Sequence, residues 1–316
     1  MNSRSNDLIR LAKEFITLTF PDESYVSISG SAARGTADKY SDIDLTIYNA
    51  SDQQIDKNKE FCSEIVQVHF APLPQIEQVY KSPWAFRFLS EIKIIRDKSN
   101  LLETIQNRAI EFFSSLSGKQ QMISEVQSIV KDRTMAANQF YKAGRTYSAT
   151  HAAMGAWCEA AFLHMYMTER TLSTGRLIPC IRENQQLFSS LKKYSSIREC
   201  SSITDFSPIL HMLREYLREQ NYDLAFDLDP LQEMLVERKN ERFINTGDLF
   251  NLQWQMYGEA LWLYFSIDDQ KTFEQFYENL PVELKRELSL IGFVPLEKQN
   301  IDGLCNLSWL LIKDYI

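Results

Sequence analysis

The residues most able to do chemistry in this chain are two aspartates, Asp42 and Asp44, one residue apart in "DIDLTIY". Read as a β-strand the segment alternates, so Asp42, Asp44 and Thr46 point one way while Ile43, Leu45 and Ile47 point the other. Attachment points at i and i+2 are about 6.6 Å apart, and two unit charges at ~6 Å repel by roughly 3 kcal/mol at an effective dielectric of ~20. Three arrangements relieve that repulsion: Lys or Arg neutralises the pair, the strand lies at an open edge in water, or a divalent metal is bound. Oxygen-only ligands suit Mg²⁺, which keeps several waters and takes one or two carboxylates with substrate phosphates. The preceding residues favour the metal. "SYVSIS" reads as a strand and runs straight into Gly30-Ser31, then "AARGTADKYS". Glycine permits a tight turn, and a turn rich in free N–H groups, together with the Ser31 hydroxyl, makes an anion nest beside the fixed charge of Arg34.

The stretch "SGSAARGTADKYSDIDLTI" resembles the signature of the polymerase-β-like nucleotidyltransferase superfamily: hydrophobic-Gly-Ser, a spacer, then Asp-hydrophobic-Asp-hydrophobic. Within it the chain is most similar to the kanamycin-type antibiotic nucleotidyltransferases, with matching features from Tyr25 to about residue 170. The resemblance implies Mg²⁺ held by Asp42 and Asp44, and a nucleotide held by Gly30, Ser31, Arg34, Ser41, Gln67 and Arg145. In the relatives an Asp or Glu on a later strand faces the first two. Here that strand is "EIVQVHF", and its natural register puts Gln67 at the position. An amide oxygen is a weak Mg²⁺ ligand and cannot take a proton. His69 points to the same face as Gln67 and Glu64 to the opposite one.

The first long helix of the C-terminal half carries, in the kanamycin type, a glutamate base and four residues on a lysine that touches the nucleotide phosphates. "QFYKAGRTYS" resembles that region, with Ala143-Gly144-Arg145 in place of Ala-Gly-Lys. The register gives Arg145 to the α-phosphate, which its planar fork suits, or to a plain helix end. Tyr141 falls where the glutamate would be, with Lys142 facing another way. Glu159, amid Ala, Met, Trp and Phe in "HAAMGAWCEAAFLHMYM", needs a partner if buried; it serves either as the base or as one half of an ion pair. The run from Arg145 to His151 also fits the arginine-to-histidine spacing of HEPN-type ribonucleases.

Composition agrees with a large folded protein. A chain of 316 residues with 44% hydrophobic content can bury a substantial core and suggests two domains. Five cysteines, Cys62, Cys158, Cys180, Cys200 and Cys305, form no C-x-x-C pair, so reduced thiols and a cytoplasmic location are expected. "MNSRSNDLIRLAKEFITLTF" is interrupted by charge and reads as an amphipathic helix. The apolar run near "ALWLYFSI" is too short to span a bilayer. A net charge of −8 and the lack of a basic stripe argue against nucleic acid as partner and are compatible with a cationic small-molecule acceptor.

After "DLTIY" the polar stretch "NASDQQIDKNKEFCS" leads to the strand "EIVQVHF", and "FLSEIKIIRD" predicts a strand entering a turn and a helix. From Leu101 the period is helical, over 119 to 143 and 149 to 169 and then in shorter pieces separated by "STGRLIP", "DFSP", "DLDP", "NTGD" and "NLP". The expected fold class is α+β: a mixed-sheet nucleotidyltransferase domain at 1–110, then an all-α helical bundle at 111–316, with the site in a cleft between them. The expected activity is transfer of AMP from ATP to a hydroxyl of an aminoglycoside-like small molecule, with Asp42 and Asp44 as metal ligands and Glu159 as base. The alternatives are a toxin or regulator that modifies RNA or protein, and a nucleotide-binding module with weakened catalysis. Aromatic residues beyond about 200 shape helix core, an acceptor pocket or a homodimer interface.

Overall fold

The computed structural model describes residues 2–49, 56–198, 206–267 and 271–315. Cys200, the Asp205 of "DFSP" and the polar stretch from 50 to 55 lie outside the described residues. The chain divides into two compact units, residues 1–122 with 225–239, and residues 123–224 with 240–316.

In the first unit, α1 (Ser3–Thr19) is the amphipathic helix expected from the sequence; Asn2 caps it by accepting from the Ser5 N–H. Five strands follow, β1 (Tyr25–Ile28), β2 (Ile43–Tyr48), β3 (Lys57–Phe61), β4 (Glu64–Ala71) and β5 (Lys93–Asp97), in the order β3-β4-β2-β1-β5. β2 and β4 pair in parallel and every other pair is antiparallel, so the sheet is mixed. The helices of this unit are α2 (Gly30–Arg34), α3 (Ile76–Lys81) and α4 (Leu101–Ser114), and α5 (Leu116–Lys142) begins in it. The alternation read from "DIDLTIY" is real: Ile43, Leu45 and Ile47 are fully buried against Leu8, Phe15 and Ile16 of α1 and Val66 and Val68 of β4. At ~25 cal/mol per Å² such burial, worth about 1.5–3 kcal/mol per large aliphatic side chain, fixes the register and leaves the aspartates on the opposite face.

The second unit is helical. It contains α6 (Thr146–Glu169), α7 (Thr174–Arg182), α8 (Gln185–Tyr194), α9 (Ser207–Glu219), α11 (Leu249–Phe265), α12 (Phe273–Asn279), α13 (Val282–Leu290) and α14 (Lys298–Lys313), and α10 (Pro230–Thr246) enters it at Asn240. α6 is its axis: Ala149, Ala153, Ala156, Ala160 and Ala161 are fully buried, and α14 packs along it because these small side chains admit close approach.

Two readings of the sequence need correction. β3 lies in a stretch read as polar connection; with Lys57, Lys59 and Glu60 exposed and only Asn58 buried it is a solvated edge strand, which carries no hydrophobic period. "STGRLIP" was read as a break, yet Thr174–Arg182 is helical with Pro179 inside it. Its Leu177, Ile178 and Ile181 are buried, and that packing outweighs the poor local propensity.

Candidate functional site

The site starts at a backbone constraint. β1 ends at Ile28 and the chain turns through Gly30 at φ +66°, into the five-residue helix α2. A Cβ on Gly30 would lie 1.9 Å from Asp44 Oδ2, so only glycine lets the turn pass this close to the carboxylate. The Ser29 N–H donates to the Asp44 carbonyl at 2.9 Å and ties the turn to β2. Asp42 precedes β2 and is 3% exposed; Asp44 sits within the strand and is partly buried.

Across the parallel ladder Asp44 is paired with Gln67, and Asn58 of β3 is paired with Gln67 from the other side. The register inferred for Gln67 is thus the one adopted. Carboxylates offer only acceptors, so the amide nitrogen of Gln67 belongs on their side, 3.2 Å from Asp44 Oδ1 and 3.0 Å from Asp42 Oδ2. Its oxygen then meets the Gln232 side-chain amide at 2.6 Å, which donates with its own nitrogen turned toward Gln67. A second donor comes from the same helix, α10: Lys239 Nζ lies 3.0 Å from Asp42 Oδ2. Arg238 donates to the Ser41 carbonyl at 3.3 Å. Gln232 and Lys239 are seven residues apart, two turns, and so share one face.

Burial pushes the Asp44 carboxyl up, the neighbouring Asp42 charge pushes it further, and Lys239 offsets part of this; the result is about 6. The pair therefore holds more negative charge than its surroundings satisfy, and a cation placed there is favoured. The donor set suits a hard divalent ion with water and phosphate completing the shell. Among the described residues no group of three or more His, Cys, Asp and Glu side chains is placed to hold a metal ion.

The other residues expected at this site have partners of their own. Ser41 is buried; its hydroxyl donates to Asp38 Oδ1 at 3.1 Å and accepts from the Asp38 N–H at 3.0 Å, closing the loop before β2. Ser31 is partly exposed in the first turn of α2, and its carbonyl accepts from the Thr36 N–H at 3.0 Å. Arg34 pairs with Glu91 at 3.2 Å. His69 bonds Asp56 Oδ2 at 2.8 Å, and Glu64 is gripped by both guanidinium nitrogens of Arg4 at 2.8 and 2.7 Å.

In the second unit, Gly144 at φ +76° ends α5's turn and Arg145 opens α6. Arg145 lies over the Phe140 ring and pairs with Glu274 Oε2 at 3.4 Å. Although burial alone would raise it, the Glu274 carboxyl is held below its usual range by the Ser148 N–H and hydroxyl, both at 2.7 Å, and by Arg145. Glu274 thus caps α6 from α12. Glu159 faces Arg133 at 3.7 Å, the ion-pair alternative of the two weighed for it. Tyr141 is partly buried near the end of α5, and Lys142 is exposed. His151 is buried, with Nδ1 2.6 Å from the Tyr257 hydroxyl and its ring against Phe273 and Phe293. Burial lowers its pKa to about 3, so it is a neutral core histidine, which removes the basis for the ribonuclease spacing.

Lys239, Gln232 and Arg238 were missed at the level of sequence. The repulsion between Asp42 and Asp44 called for a cation, and Lys or Arg was one of the three solutions it allowed. "LQEMLVERK" itself carries no motif that marks the helix as the source.

Residues 10–103 match the family model of the nucleotidyltransferase domain, which is polymerase-β-like. No curated protein matches the chain. The crystal structure of a nucleotidyltransferase-like protein from Exiguobacterium sibiricum aligns with 90% of this chain and 89% of its own, at 14% identity and a TM-score of 0.34.

Proposed function

We propose that the protein is a Mg²⁺-dependent nucleotidyltransferase that moves AMP from ATP to a hydroxyl of a small, cationic, aminoglycoside-like acceptor. The observation that carries the reading is the side-by-side placement of Asp42 and Asp44, with Asp44 against Gly30, in a domain matched by the nucleotidyltransferase family model. Asp42 and Asp44 would hold the metal, and Gly30 and Ser31 would bring backbone and hydroxyl groups to the terminal phosphates, with the charge of Arg34 on the same short helix. Bound metal supplies charge stabilisation on the transferring and leaving oxygens. The buried face of β2 fixes where both carboxylates stand. Gln67 donates to both carboxylates and cannot accept the acceptor's proton, so this position gives no general-base help, an effect ordinarily worth about 10²- to 10⁴-fold. That same residue favours a second reading, a nucleotide-binding module with weakened catalysis.

Incubation with Mg²⁺, labelled ATP and a panel of aminoglycosides, lincosamides, tRNA and protein, followed by mass analysis, tests the reading. The expected product is a small acceptor heavier by one adenylyl group. Label on tRNA or protein instead would replace the acceptor class, and ATP binding without any transfer would favour the binding module.

A further inference from the structure

We propose that Lys239 is the resident counter-cation of the Asp42–Asp44 pair and that a divalent metal binds by displacing it. The inference rests on the metal site of the proposed function and adds a competitor to it. Asp42 is almost completely buried, 3% exposed, whereas the Lys239 side chain is 38% exposed. A buried carboxylate without a partner is costly, so in the absence of metal the ammonium is held there. The lysine reaches inward on a flexible four-carbon stem whose other side is open to water, so it can leave without unfolding the helix that carries it.

The placement is built rather than incidental. Arg238, the neighbouring residue, anchors α10 on the Ser41 carbonyl, one residue before Asp42. Two turns earlier on the same face, the Gln232 amide lies 2.6 Å from that of Gln67, whose nitrogen donates to Asp42 Oδ2 and Asp44 Oδ1. One helix face therefore serves the carboxylates twice, directly by an ammonium and indirectly through an amide. Lys239 Nζ and the Gln67 nitrogen both lie 3.0 Å from one oxygen, Asp42 Oδ2. A divalent ion that uses this oxygen would crowd a like charge against the ammonium, and Lys239 must move aside.

The test is Mn²⁺ binding to the full-length protein, followed by the paramagnetic signal of free ion, for wild type, Lys239→Met and Lys239→Gln. Lys239→Gln keeps a hydrogen-bonding stem without charge and covers the case in which Lys239→Met does not fold. Removal of a charge-assisted competitor is expected to tighten Mn²⁺ binding on the order of tenfold or more in either variant. In wild type, the Lys239 ammonium NMR signal is expected to move on titration with Mg²⁺. Equal or weaker Mn²⁺ binding in the variants, with clear binding in wild type, would overturn the displacement while leaving the metal site standing. No Mn²⁺ binding by any of the three proteins would overturn both.

Discussion

Asp44→Asn should make the metal-free protein more stable, although Asp44 is central to the proposed activity. Its carboxyl stands at about 6 instead of the ordinary 3.8, chiefly through burial and the charge of Asp42. Holding it ionised therefore costs the folded state up to about 3 kcal/mol, at 1.36 kcal/mol for each pH unit. The sign follows from proton counting: between about 3.8 and 6 the native protein binds more protons than the unfolded chain, so stability falls as pH rises through that window. Above about 6 the whole penalty is present, and below 3.8 it vanishes. Asparagine has no such penalty. Thermal and urea unfolding of wild type and Asp44→Asn at pH 8 and pH 4, with metal chelated, measures it. The variant should gain several degrees at pH 8 and little or nothing at pH 4. Saturating Mg²⁺ should raise wild type and leave Asp44→Asn unmoved. A variant no more stable than wild type at pH 8, or one equally favoured at pH 4, would refute the electrostatic argument.

Gly30→Ala places a Cβ 1.9 Å from Asp44 Oδ2 at a positive φ, and a loss of roughly 2–4 kcal/mol in urea unfolding is expected. Gln67→Glu adds a third carboxylate to the face shared with Asp42 and Asp44, so its melting temperature should fall without Mg²⁺ and rise with it more steeply than wild type does. In His151 the folded pKa of about 3 lies below the unfolded 6.5, so stability should drop as pH falls through that window, by roughly 2 kcal/mol from 6.5 to 5. His151→Phe should flatten this acid limb in a pH series of thermal unfolding. Glu274→Ala removes the acceptor for Ser148 and Arg145 at the start of α6 and should cost about 1–2 kcal/mol in the same assay.

Where the sequence was legible, a local period carried the information. Ile43, Leu45 and Ile47 alternate with Asp42, Asp44 and Thr46, and that single pattern yields the strand, its buried face and the shared side of the carboxylates. The place of Gln67 opposite Asp44 came from the family resemblance, and the parallel pairing of β2 with β4 was not itself legible, because Ile65, Val66, Gln67 and Val68 are all buried. Nor was β3, because its exposed residues Lys57, Lys59 and Glu60 lie on both faces and leave no apolar alternation to read. Partners distant in sequence were invisible for a different reason. Arg34 carries a charge that reads as a phosphate ligand, yet nothing local says that Glu91 will meet it. Lys239 approaches Asp42 across 197 residues of chain. Electrostatics required a cation for the pair, but only tertiary packing could say which one. Arg145 was placed by family resemblance and Glu159 by its apolar surroundings, and their ion pairs with Glu274 and Arg133 come from helices whose neighbours no periodicity names.

The central claim is that Asp42 and Asp44 form a metal-dependent nucleotide site, and calorimetric titration of ATP into the full-length protein tests it most directly. Binding is expected in the presence of Mg²⁺, and its loss is expected both on chelation and in Asp42→Asn or Asp44→Asn that retains its fold. Equal heats and equal affinity with the metal chelated, or in the two variants, would contradict the account.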